Sequence, residues 1–77
     1  MEPVLKPQSD LCRALGRRFR SVREERGIGL RVLAEQMGVA LYLIRRHEAG
    51  ALMLRLDKIH AAATAMAVPV RTLTEPE

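Results

Sequence analysis

Residues 30–50 read LRVLAEQMGVALYLIRRHEAG. Leu33, Ala34 and Met37 fall on one face of a helix, which predicts a short helix over about Leu30 to Met37. Gly38 closes it by taking the left-handed conformation that other residues resist. After Gly38-Val39-Ala40 a further helix runs from about Ala40 to Ala49, with Gly50 as its stop. Two short helices joined through a left-handed glycine meet at a steep angle, which is helix-turn-helix geometry. The rest of the chain is read as the support for that pair.

Upstream, Ser9 is placed to cap a helix whose Leu11, Leu15, Phe19 and Val22 stack on one face, and Gly27 ends it. Downstream, Ala51 to Leu54 form an apolar connector. Leu56, Ile59, Ala62, Ala63 and Met66 then repeat the helical stripe, with alanines small enough to bring helices close. Pro69 is expected to end that helix, and Val70 to Leu73 to form a last turn folded back on the rest. The expectation is an all-α fold of five helices over residues 9–77, preceded by an arm at residues 1–8 that contains Pro3 and Pro7.

The chain has 77 residues, 48% apolar and 29% charged, which suits one small domain. Such a domain buries only about 60% of its unfolded surface, so it gains from a metal, a disulfide or a partner subunit. The single cysteine, Cys12, excludes an internal disulfide, and with His47 and His60 it makes no ligand-spaced metal set. Self-association is the remaining supplement. The start MEPVLKPQSD has no apolar leader core, and no stretch approaches the roughly 20 apolar residues of a membrane span. A soluble, cytoplasmic protein without membrane contact is expected. Nine basic residues stand against three acidic ones between Arg13 and Arg46, within an overall charge of +4. That asymmetry favours a polyanionic partner for the first half of the chain. No phosphate-cradling GxxxxGK[ST] and no nucleophile, base and acid set is present, so no enzymatic activity, cofactor or small-molecule ligand is expected.

LGRRFRSVREERGIG (15–29), LRVLAEQMGVALYLIRRHEAG (30–50) and LDKIHAAATAMAVPVRTL (56–73) together resemble the Cro and phage-repressor, or Xre-like, family of DNA-binding domains. Leu33-Ala34, Gly38-Val39, Ile44, Glu48 and Gly50 stand at that family's signature spacing. The resemblance implies a compact five-helix domain acting on double-stranded DNA as a homodimer. It implies that the helix from Ala40 enters the major groove, with Ala40, Leu41, Tyr42, Arg45 and Arg46 as base readers. It also implies backbone contacts from Arg17, Arg18, Leu30 and Arg31, and a structural pair between Arg23 and Glu48. The family dimerises through the connector and the C-terminal helices, so Leu52, Met53, Val70 and Leu73 are its candidate interface. Leu54 either joins that interface or tucks into the core. Arg17, Arg18 and Arg20 either meet the DNA backbone or form a solvated helix face, with Arg17 or Arg18 near the face of the first helix beside the second. His47 is read as a packing residue and Cys12 as an inert, buried thiol.

The sequence departs from the family at Gly29 and Leu30, where Ser or Thr and then Gln are usual, and in the apolar run Ala-Leu-Tyr-Leu at residues 40–43. Two readings follow. Leu41 and Tyr42 press on thymine methyls while Arg45 and Arg46 meet guanine or phosphate. Alternatively, an exposed Leu41-Tyr42-Leu43 face binds a protein partner, as an antiactivator or antitoxin-like protein would. A purely structural dimerisation module is a third reading, and it predicts no salt-sensitive affinity for nucleic acid. The favoured function is a sequence-specific transcriptional regulator on a two-fold operator, of a mobile element or restriction-type locus.

Overall fold

The computed structural model describes residues 9–75, so the arm expected at residues 1–8 lies outside it, as do residues 76–77. Five helices follow one another: α1 (Asp10–Glu25), α2 (Leu30–Met37), α3 (Leu41–Glu48), α4 (Leu56–Met66) and α5 (Arg71–Thr74). No strand occurs among the described residues. The fold is all-α, as the periodicity implied.

Ser9 caps α1 as expected, its Oγ accepting the backbone N–H of Cys12 at 3.1 Å. Asp10, beside the positive end of the helix dipole, also pairs with Arg13 at 2.7 Å. The buried face of α1 runs through Cys12, Leu15, Gly16, Phe19, Val22 and Arg23. Leu11, expected on that face, is exposed, and Cys12 takes the inward position. Gly16 explains the rotation. A Cβ at Gly16 would overlap the backbone carbonyl oxygens of His47 and Glu48, so the end of α3 lies directly on α1 there. The inward stripe therefore passes through residue 16 and carries residue 12 with it.

Phe19, Leu33, Ile44, Ile59, Ala62, Met66 and Leu73 bring all five helices into one core. α1 packs on α3 and α5, while α2 packs on α3 and α4. Leu54 is buried in this core, whereas Leu56, placed by its spacing on the α4 stripe, is exposed at the start of the helix. Pro69 does not end α4. The helix stops at Met66, and Ala67 takes a left-handed conformation (φ 59°) while its N–H and that of Val68 reach back to the last turn. Pro69 instead opens the final turn, its carbonyl accepting from Thr72 N–H at 3.0 Å. α5 then returns Leu73 to the core, and Arg18 Nε donates to the Thr72 carbonyl at 3.0 Å, fastening α5 to α1.

Candidate nucleic-acid interface

Gly38 adopts φ 69° and Ala40 is extended, so the chain reverses within three residues between α2 and α3. α3 then turns Ile44 and His47 inward, with both fully buried. Leu41 and Leu43 are half-buried against the core. Ala40, Tyr42, Arg45, Arg46 and Ala49 remain on the outer side. Tyr42 is 62% exposed, and Arg46 lies one turn further along the same face. The expected apolar face of Leu41, Tyr42 and Leu43 is therefore reduced to Tyr42, because the two leucines serve the core. Leu41, half-committed to packing, leaves less of its side chain open to a partner than Tyr42 does.

Two arrangements hold α3 in place. Arg23 Nε and Nη2 reach the two oxygens of Glu48 at 2.7 and 3.1 Å, while Nη1 donates to the Ile28 carbonyl at 3.0 Å. One guanidinium thus ties α1, the loop before α2 and the end of α3 together. Both side chains are about nine-tenths buried, and the hydrogen bond to Glu48 pushes the pKa of Arg23 up, against the cost of burial. His47 supplies the second arrangement. Its Nδ1 accepts the Leu54 N–H at 3.2 Å and its ring meets Phe19 edge to face, with centroids 4.8 Å apart. The neutral ring then carries its proton on Nε2, which has no partner among the described residues. Burial pushes the His47 pKa down to about 4, against a weaker upward pull from the backbone of Leu52.

The candidate backbone contacts separate. Arg17 and Arg31 are exposed, and Leu30 is half-buried as the first residue of α2, whose N-cap, Gly29, offers no side-chain cap. Arg18 donates to the Thr72 carbonyl of α5. The candidate dimer residues separate too. Leu52, Met53 and Val70 are half-exposed, but Leu73 is 1% exposed and belongs to the monomer core, so it is unavailable to a partner.

A hollow of about 230 Å³ was not foreseen. Arg20, Arg23, Leu30, Arg45, Glu48 and Ala49 line it, bringing together α1, the start of α2 and the flank of α3. Arg45 faces this hollow, whereas Arg46 is not among the lining residues. Arg20 precedes Arg23 by three residues and shares its face. Among the described residues no group of histidine, cysteine, aspartate and glutamate side chains is placed to hold a metal ion. No helix among them is long and apolar enough to cross a membrane.

No protein-family model and no curated protein matches the chain. Solved structures are similar to it, among them the following two. A hypothetical transcription factor, NHTF, from Neisseria is 26% identical with a TM-score of 0.78, over 99% of this chain and 88% of that one. The restriction-modification controller protein C.AhdI from Aeromonas hydrophila is 30% identical with a TM-score of 0.75, over 83% of this chain and 96% of that one. Likeness of that extent, on a chain whose turn at Gly38 sets α3 against a fastened α1, makes this protein a member of the Cro and phage-repressor-like, Xre-type family of helix-turn-helix domains.

Proposed function

We propose that this chain is a sequence-specific, DNA-binding transcriptional regulator that acts as a homodimer on a two-fold operator. The carrying observation is the outer face of α3, where Tyr42 and Arg46 project together from a helix anchored behind by Arg23 and Glu48. Tyr42 suits apolar contact with thymine methyls, and Arg46 suits the forked acceptor pair of guanine. Ala40, exposed at the N-cap, allows close approach to the groove floor. The controller protein and the hypothetical transcription factor support the regulatory reading, and the former favours a restriction-type locus as its setting. Arg17 and Arg31 act as backbone contacts, and Leu52, Met53 and Val70 as the dimer contact. Leu56, two residues beyond the connector, is exposed as well.

The protein-binding alternative, an antiactivator or antitoxin-like partner, draws on the same apolar run, of which Tyr42 is the exposed large member. Selection of bound duplexes from a random pool at two salt concentrations tests the proposal. A two-fold consensus containing guanine opposite Arg46, lost in Arg46→Ala, is the expected result. No enrichment over the starting pool would sink it.

A further inference from the structure

The hollow beside α3 has a chemistry of its own. Three arginines and one carboxylate line it, and the carboxylate is already occupied, since both oxygens of Glu48 are held by Arg23. Arg20 and Arg45 stand at its exposed edge, one from α1 and one from α3. Arg45 makes no ion pair among the described residues, and Arg20 reaches only Glu24, at 3.4 Å between two exposed side chains. A contact that long and that solvated is readily exchanged for a better acceptor. The compensated Arg23–Glu48 pair thus forms a floor, with two positive groups above it that lack a firm counter-charge.

We propose that this hollow is a phosphate seat, in which a phosphodiester of the DNA backbone is gripped between Arg20 and Arg45. The assignment to DNA rests on the function proposed above. A guanidinium from each side presents N–H donors to the phosphate oxygens. Leu30, at the uncapped start of α2, adds its backbone N–H to the same hollow. Arg45 is adjacent in sequence to Arg46, so a phosphate seated here belongs to the duplex whose groove α3 occupies. Arg45 therefore passes from the base-reading set to the backbone set, where it joins Arg20. The seat fixes the depth and tilt of α3, leaving selectivity to Tyr42 and Arg46.

The test compares Arg20→Gln, Arg45→Gln and Arg46→Gln in the full chain, with thermal melts to confirm folding. Affinities are measured for a selected duplex and a scrambled one across several salt concentrations. Arg20→Gln and Arg45→Gln should each weaken both duplexes by the same factor, about 3- to 10-fold at low salt, and the double variant should lower the salt slope by about 0.9. Arg46→Gln should instead shrink the ratio between the two duplexes. A change of preferred sequence in Arg45→Gln, or unchanged affinity in both seat variants, overturns the proposal. A second arm follows the Leu30 amide and the Arg20 and Arg45 Nε–H signals by NMR as inorganic phosphate is added. Saturable shifts, lost in the double variant Arg20→Gln/Arg45→Gln and kept in Arg46→Gln, are expected, and their absence overturns the seat. Saturable phosphate shifts with no duplex binding by the parent would leave the anion seat standing and fell the DNA reading.

Discussion

Removing the guanidinium of Arg23 would strand the Glu48 carboxylate in a place where water hardly reaches, and would release the Ile28 carbonyl as well. Breaking one side of a buried pair costs about 3 to 5 kcal/mol, comparable to the whole stability of a small domain. Arg23→Ala is therefore expected to melt well below the parent. A variant that melts like the parent yet loses DNA would make Arg23 a phosphate contact instead. His47 gives a second prediction at this scale. Its folded pKa of about 4 lies below the ordinary value of 6.5, so between those two pH values the unfolded chain binds a proton that the folded one refuses. Stability contributed by the neutral ring is complete above pH 6.5 and is lost as pH falls toward 4. The difference amounts to about 3 kcal/mol. Urea melts between pH 7 and 4 should show the loss in the parent, and His47→Leu should flatten the curve over that window.

At the scale of elements, the left-handed Ala67 marks a helix end held in an unfavourable conformation. A residue with a Cβ pays roughly 1 to 2 kcal/mol there, and glycine does not, though glycine loses more backbone freedom on folding. Ala67→Gly should raise stability by up to about 1 kcal/mol, read as a higher melting temperature, and a lower one would refute the strain. This helix end also shows why the sequence was only partly legible. Gly38 and Gly50 announced the ends of α2 and α3 because glycine tolerates positive φ, and both adopt it. Ala67 carries no such mark, so the sequence points to the next proline as the stop. The same limit applies to faces. Helical spacing gives the width of an apolar stripe but not its rotation, which for α1 is decided by the contact of Gly16 with the backbone of α3. Leu11 faces outward for that reason, and Leu56 lies outside the core because α4 begins there. The pairing of Arg23 with Glu48 was legible only through family resemblance. The hollow of Arg20 and Arg45 needed three segments brought together, which no local pattern encodes.

For the whole molecule, the core draws Leu54 and Leu73 inward and leaves Leu52, Met53, Val70 and Leu56 partly or fully outside. In the proposed dimer, replacing Leu52 and Met53 together with serine should lower the dimer fraction in sedimentation. Operator affinity should fall with it, because the second half-site no longer benefits from being tethered to the first. The monomer's melting temperature should move far less than in Arg23→Ala, since neither residue is fully buried. An unaltered dimer would send the interface elsewhere on the surface.

The bond from the Leu54 N–H to His47 joins the last turn of α3 to the connector carrying Leu52 and Met53. In a dimer assembled through that connector, the imidazole becomes the gauge block between the two reading helices. It sets how many base pairs separate their half-sites, a distance that DNA of fixed pitch does not forgive. Loosening that one contact should broaden the range of operator spacers the dimer accepts, with the preferred half-site itself unchanged.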